Sequence, residues 1–285
     1  MTAAVANPHF PLPDRTVALP EREFQISPAG KARAEQLCRL PATELFHHLV
    51  RDQESDATVL ACRRLVGAFL AELPLGVSAV AEIPSLVEAA RAELAATLGD
   101  LTSLPAELRS LVLQQRSPLA LVDGCWLDMV SQPATQPSII VNRLYAQHWV
   151  QRGAGNPLHS QEHRRRRALE AVDVNLPTIG AHDFLVRAEA RPLTALHACW
   201  YLALSRVPAN FLPEVVGVQY AFRMLGVDDL VLGIEPVLPT EELATLLAEF
   251  HDLADEPARA RFARAVQLVI DLEREHVRML AELAR

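Results

Sequence analysis

Apolar residues recur at helical spacing along most of the chain, and the pattern is clearest in three stretches. Over 57–73 an apolar face predicts a helix that Pro74 ends. Over 84–98 leucine or alanine recurs every fourth position, and Gly99 predicts the helix end. The last helix is predicted to begin near Pro257 and to carry one inward stripe. That stripe comprises Phe262, Val266, Val269, Glu273, His276, Val277 and Leu280.

Shorter helices are predicted by the same spacing elsewhere. They cover 105–115, 138–149, 162–172, 192–206, 211–226 and 240–250. Ser103 and Thr240 are the expected caps of the first and last of these. Residues 138–141 are the best candidate for a strand, but they continue directly into helical spacing, so we assign them to a helix. With a turn at 153–157, the pattern predicts an all-α fold in one compact bundle.

Residues 1–30 are rich in proline and lack sustained periodicity, so we expect an irregular N-terminal arm followed by a single helical domain over 31–285. The N-terminus has neither the basic start nor the apolar core of a secretory signal. No run approaches the roughly 18 apolar residues of a membrane span.

The four cysteines lie far apart without a CxxC pair, which predicts free thiols. We therefore expect a cytoplasmic protein with no membrane contact. The cysteines are Cys38, Cys62, Cys125 and Cys199.

The charge balance argues against one large class of proteins. Acidic residues number 35 and basic residues 27, which gives a net charge of −8 and a pI of about 5.7. General nucleic-acid binders need a basic footprint, so we expect no nucleic-acid partner. Lys31 is the one lysine, and the other 26 basic residues are arginines.

Common catalytic motifs are absent from the sequence: it contains no GxGxxG, phosphate-binding loop, HExxH or GxSxG pattern. An all-helical bundle favours metal sites built from inward Glu and His side chains. Glu273 and His276 form an ExxH pair, whose spacing points both side chains to the same side of a helix. They are candidate metal ligands, and the alternative is a surface pair near the C-terminus.

Other histidines and one basic run add weaker candidates. Glu162 and His163 are adjacent, so they diverge by about 100° on a helix and cannot easily share one metal. His251 follows Leu247 by four residues, which places it on the core side of its helix. His148 is close to the turn at 153–157 and is expected to face the same interior. For each lone histidine a purely structural role is the alternative. The arginines at 164–167 predict either a solvated helix face or a contact with an anion or partner.

Five segments occur in a familiar order. They are LVDGCWL at 121–127, Asn142-Arg143-Leu144, GAGNP at 153–157, Leu176-Pro177 and FLPEVVG at 211–217. Over roughly residues 110–285 the chain resembles the haem-oxygenase-like di-iron oxidase superfamily, and DGCWL and FLPEVVG are the most specific parts. The resemblance implies a haem-oxygenase-like bundle of about seven core helices with two non-haem irons per chain. Such enzymes activate dioxygen to hydroxylate or cleave small metabolites, including amino acids and fatty acids.

The resemblance also implies six ligand positions. In this chain they are Gln151, Gln161, Arg223, His251, Asp255 and Arg261. Of these, His251 and Asp255 keep a ligand-type side chain, although Asp255 is also a good helix start. Glutamine is a poor ligand for a hard iron centre, and an arginine opposes a cation. Shifting the register by two residues brings His159 or His163 to the second position but does not replace Arg223.

These ligand positions leave three hypotheses open. The first is an active iron oxidase with a displaced ligand set, drawn from Glu162, His163, His251, Asp255, Glu273 and His276. The second is a homologue that has lost its metal ligands and serves as a partner subunit or small-molecule-binding protein. The third is a metal-free helical enzyme that uses Arg223 and Arg261. The expected partners are a small-molecule substrate or ligand and a second chain, either in a homodimer or from an intact family member.

Overall fold

The computed structural model describes residues 26–71, 73, 82–132 and 138–284, and all regular structure within them is helical. The all-α prediction is confirmed. The helices are α1 Pro28–Cys38, α2 Ala42–Arg51, α3 Asp56–Ala71, α4 Ile83–Thr102, α5 Ala106–Val122, α6 Ile139–Gln151, α7 Gln161–Glu170, α8 Phe184–Arg187, α9 Pro192–Leu204, α10 Leu212–Leu225, α11 Val227–Leu232, α12 Thr240–Leu253 and α13 Glu256–Leu283.

Two helices run further than their local sequence predicts. α4 continues past Gly99, and Ser103 forms its C-terminal cap instead of capping α5. α5 passes through Pro118, which has no N–H to donate to the carbonyl of Gln114. The hydroxyl of Ser117 donates to that carbonyl at 2.7 Å, so the hydrogen bond lost at the proline is replaced and the helix continues.

The boundary of the N-terminal arm is wrong by a few residues. Helix α1 begins at Pro28, and the Ser27 hydroxyl caps it by accepting a hydrogen bond from the Gly30 N–H at 3.0 Å. The rest of the predicted arm, residues 1–25, and the predicted helix stop Pro74 lie outside the described residues.

The helix assigned over the strand-like residues 138–141 is confirmed. The Ser138 hydroxyl accepts a hydrogen bond from the Val141 N–H, which is the expected geometry at a helix start. Thr240 does not cap α12 as expected; it is the first helical residue and Pro239 precedes it.

Helices α9 and α10 form the interior of the bundle because nearly all of their residues are buried. α9 packs against α2, α3 and α5, whereas α10 packs against α4, α12 and above all α13. Gly217 permits the close approach of α10 to α13, since a Cβ there would lie 2.7 Å from the Phe262 carbonyl oxygen. The predicted inward stripe of α13 is buried along its whole length. None of the described helices is long and apolar enough to cross a membrane.

Candidate functional site

Seven ionisable side chains meet in the interior, and we call this group the ion cluster. It draws on α5, the turn after α5, α7, α10, α11 and α13. Its members are Arg116, Arg165, Arg223, Asp123, Asp228, Asp229 and Glu273. Their side chains are between 1% and 9% exposed, so three guanidiniums and four carboxylates meet away from water.

Arg116 is the central cation of the cluster. Its Nε donates to Asp228 Oδ1 at 2.6 Å, and its two terminal nitrogens donate to the two carboxylate oxygens of Glu273 at 2.8 and 3.0 Å. All three nitrogens of this guanidinium are therefore occupied, which ties α5 to both α11 and α13.

Arg165 is the buried member of the arginine run at 164–167. It donates to the Ala120 carbonyl at 2.9 Å, to the Asp123 carboxylate, and to Asp229 Oδ1 at 3.1 Å. Its three neighbours lie nearer the surface, where they contact a carbonyl or a carboxylate on their own chain. The run thus combines a solvated face with one interior contact, and that interior contact could not be recognised from the sequence.

Arg223 joins the DGCWL segment to α10. Its terminal nitrogens donate to both oxygens of Asp123, with Nη1 2.7 Å from Oδ2. The guanidinium lies 5.8 Å from the ring centroid of Trp126, within the range of a cation–π contact. Trp126 in turn donates to Gln219 Oε1 at 3.1 Å, and Gln219 donates to Gln147 Oε1 at 2.8 Å.

Within the cluster, the pKa of each group depends on its burial and on how many opposite charges lie beside it. Burial alone would lower the pKa of Arg116, but Asp228 and Glu273 outweigh burial and raise that pKa. Burial alone would raise the pKa of Asp228, yet Arg116 and Arg165 together bring it below its ordinary value. Glu273 faces one guanidinium among the described residues, and burial prevails there and raises the pKa of its carboxyl.

Gln151 is buried beside the cluster, and neither its amide nitrogen nor its amide oxygen has a hydrogen-bond partner among the described residues. Its Oε1 lies over Gly124, so that a Cβ on the glycine would approach it to 2.8 Å. Gly124 has φ of +83°, a conformation that other residues adopt with strain. Gln151 and Arg223, two of the six expected ligand positions, therefore meet around this glycine.

We expect Gly124→Ala to lower the free energy of unfolding by about 1–3 kcal/mol, because alanine would be strained at this positive φ and would crowd the Gln151 amide. Gly99→Ala is the matched control. It is a helical position where a Cβ meets nothing within 4 Å, so it should stabilise the protein by about 0.5–1 kcal/mol. Urea unfolding of the two variants measures both effects. Equal changes at the two glycines would contradict the strain assigned to Gly124.

A second group of buried polar atoms lies between α9 and α13. His276 is fully buried, and neither ring nitrogen has a hydrogen-bond partner among the described residues. Its ring centroid is 6.2 Å from that of His197. Burial, with a smaller effect of Arg116, lowers the pKa of His197 to about 3. Burial, Arg116 and His197 lower the pKa of His276 well below its usual value, so both rings are neutral near pH 7.

The expected ligand positions on α10 and α13 do not converge. Arg261 donates to both oxygens of Glu214 at 2.7 Å and to the Asn210 carbonyl at 2.6 Å. Glu214 is in the first turn of α10 and Arg223 in its last, which is about 13 Å along the helix axis at 1.5 Å per residue. Burial raises the pKa of Glu214 although Arg261 opposes this shift.

The remaining candidate ligands are also dispersed or occupied. His251 is exposed, so its predicted core-side position is wrong: the buried face of α12 carries Leu243, Leu246 and Phe250, and His251 is one residue beyond it. Asp255 caps α13 by accepting from the Ala258 N–H at 2.9 Å.

On α7, Glu162 pairs with Arg166, and His163 is half-buried. Gln161 is buried as the first residue of that helix. His148 faces partly inward, with its Nε2 3.4 Å from Asp128 Oδ1.

Glu273 and His276 are buried rather than a surface pair, but Arg116 binds both oxygens of Glu273. Within the described ranges no three His, Cys, Asp or Glu side chains are arranged to hold a metal ion. The donors that the resemblance requires are thus dispersed, exposed or bonded to guanidiniums. The side chains present therefore do not fit a two-iron centre.

A groove opens at one edge of the ion cluster, and we call it the Arg223 groove. Its volume is about 430 Å³. Arg91, Arg223 and Asp229 contribute its charged lining. Leu230, Ile234 and Leu243 contribute part of its apolar lining. This size lies within the usual range for small-molecule sites.

Compared with protein-family models, curated proteins and solved structures, the chain matches none of them. The ion cluster, the Arg223 groove and the resemblance carried by the sequence are therefore the features that bear on function.

Most members of the ion cluster were not candidates from the sequence. Asp228-Asp229 lie between the apolar residues Val227 and Leu230 of α11, and charged residues flanked in this way are buried when the surrounding element is interior. Arg116 has no such signal, because its neighbours Gln115 and Ser117 are polar.

Proposed function

We propose that the chain is a metal-free member of the haem-oxygenase-like bundle that binds a small organic molecule. One observation carries this proposal: Arg223 and Arg261, at two expected ligand positions, are each paired through two nitrogens with a buried carboxylate, Asp123 and Glu214. An active di-iron oxidase would need cations at this interior, and two fixed guanidiniums oppose them.

The same geometry also weighs against the third hypothesis, a metal-free enzyme using these arginines. Both terminal nitrogens of Arg223 donate to Asp123, and Arg261 donates to Glu214 and to a backbone carbonyl. Guanidiniums that are engaged in this way hold the fold together and have few N–H groups left for a substrate.

The Arg223 groove is the proposed binding site. Arg91 is exposed at the groove, where its guanidinium suits an anionic group, while Leu230 and Ile234 suit an apolar body. Arg223 and Asp229 connect the groove to the ion cluster, so the rigid interior positions one wall of the site.

We expect the protein to bind well under one iron per chain when ferrous iron is added without oxygen and unbound metal is removed, because guanidiniums occupy two ligand positions. Metal analysis by mass spectrometry measures the content. A content of about two irons per chain, with a near-ultraviolet band after oxygen is admitted, would overturn the proposal in favour of the oxidase.

The groove is tested with anilinonaphthalene sulfonate, an anionic aromatic dye. Thr240→Trp fills the groove from the start of α12 and is expected to weaken dye binding about tenfold. Val186→Glu, at an exposed apolar residue of α8, is the control and should leave binding unchanged. Dye binding that resists Thr240→Trp while the protein unfolds cooperatively would rule out this groove.

A further inference from the structure

Exposed large apolar side chains concentrate in one part of the described chain, on and around α6. We call this set the α6 surface. It comprises Met129, Ile139, Tyr145, Trp149, Val150 and Leu158, which are 39% to 64% exposed. Soluble monomers carry such residues singly, so a concentration of them marks a contact site.

Helical geometry brings the members on α6 together. Ile139, Tyr145, Trp149 and Val150 recur at spacings that place them on one side of the helix, while the opposite side packs on α12. A groove of about 650 Å³ lies between this side and the segment 127–131. Tyr145 and His148 line it together with Asp128, which is paired with Arg152. The Trp149 ring extends the surface over the turn at 153–157. A Cβ at Gly155 in this turn would lie 3.5 Å from the ring.

The extent of the α6 surface suits a protein contact. About half of each side chain is exposed, so the six offer at most roughly 600 Å² when each is given the about 200 Å² of an aromatic side chain. A standard interface takes about 800 Å² from each partner. Tryptophan, tyrosine and methionine are also the residues enriched at the centre of such interfaces.

Charge points to the identity of the partner. The chain carries a net charge of −8, so two copies repel each other unless they meet through a neutral face. On the exposed side of α6, Ile139, Tyr145, Trp149 and Val150 carry no charge, and the charged residues lie at its edges. Arg143, on its flank, is paired within its own chain with Glu249 at 2.6 Å, and Arg152 at its end is paired with Asp128.

We propose that the α6 surface is the interface through which two copies of this chain pair around a two-fold axis. In such a pair the same patch meets itself, so apolar residues face apolar residues, and the charges at its edges are already paired within each chain. A charged partner would find no unpaired charge on α6 to recognise, which is why a second copy is favoured over it. The proposal is independent of the small-molecule site.

The test is sedimentation velocity of the full chain from low to high micromolar concentration. We expect a reversible dimer whose Kd rises at least about a hundredfold in Trp149→Glu, because the buried charge is introduced in both copies. Val186→Glu introduces the same charge outside the α6 surface, at an apolar residue that is 74% exposed against 51% for Trp149, and should leave the Kd unchanged. Hydrogen exchange should show protection of residues 139–151 that grows with concentration.

Two results would overturn the proposal. If the chain stays monomeric at every concentration, the α6 surface does not bind a second copy, and its occupant would be a different protein. A dimer unaffected by Trp149→Glu, with protection elsewhere, would place the interface on another face. Cooperative thermal unfolding of both variants shows that the changes act on association and not on folding.

Discussion

Replacing Arg116 with methionine is expected to lower the free energy of unfolding by about 3–5 kcal/mol. Arg116 is 1% exposed and makes three hydrogen bonds, to Asp228 and to both oxygens of Glu273. Methionine fills much of the volume but removes the counter-charge, so both carboxylates lose a partner in a site from which water is excluded. Urea unfolding followed by circular dichroism measures the loss.

The helix that carries Glu273 provides a matched control. Arg274 on α13 donates two nitrogens to Glu93 of α4 at 2.6 and 3.0 Å, but both side chains are substantially exposed. Water screens this pair, so Arg274→Met should cost no more than about 1 kcal/mol. Similar losses for the two arginines would contradict the importance assigned to burial.

A combined variant separates charge from packing. Arg116→Met together with Asp228→Asn and Glu273→Gln removes the charge that the single variant leaves unpaired on Glu273 and the charge that it leaves paired with Arg165 alone on Asp228. We expect it to recover part of the lost free energy of unfolding, because neutral buried amides cost less than unpaired buried carboxylates. If the triple variant is less stable than the single one, the lost hydrogen bonds, and not the unpaired charges, cause most of the loss in free energy of unfolding.

Replacing His276 with leucine is expected to make the protein less sensitive to acid. Because burial holds the pKa of His276 well below 6.5, the folded chain keeps this ring neutral while the unfolded chain takes up a proton below that pH. Unfolding is therefore favoured progressively as pH falls below 6.5. Neither ring nitrogen has a hydrogen-bond partner among the described residues, so leucine loses no such bond.

The free energy of unfolding of the leucine variant, relative to that of the wild type, should be about 2 kcal/mol higher at pH 5 than at pH 7.5. The raised pKa values of Glu273 and Asp229 favour the folded state as pH falls. Because both carboxyls are present in the wild type and in the variant, their effect cancels in the comparison. Met279→Leu, a buried change on the same helix without a titrating group, should shift stability equally at both pH values. A difference between wild type and His276→Leu that does not grow toward pH 5 would contradict a neutral buried ring.

Helical elements were largely predictable because periodicity is a local property. The α13 stripe was identified residue by residue, and the strand-like start of α6 was assigned correctly from the helical spacing of residues 142–149. Helix ends were less predictable: α4 passes Gly99 and α5 passes Pro118, since neighbouring helices and the Ser117 hydroxyl stabilise a conformation that the local sequence disfavours.

The candidate site was predicted less well, since side-chain direction depends on what packs against a helix. His251 is one residue beyond the buried face of α12 and therefore points to water. Asp255 has the helix-start role that its sequence also predicted. The two-iron centre and its activity stay predictions of the resemblance, to be tested by metal analysis of the iron-treated protein.

The sequence by itself determined most of the helices, the acidic charge balance of the chain and, through the resemblance, the presence of arginines at expected ligand positions. Only the tertiary structure decided what those arginines do. Asp123 is distant in sequence from its partners Arg165 and Arg223, and Arg116 is still further from Glu273, so no local pattern relates them. They pair because five helices and one turn bring them into a common interior, where an unpaired charge is too costly to persist.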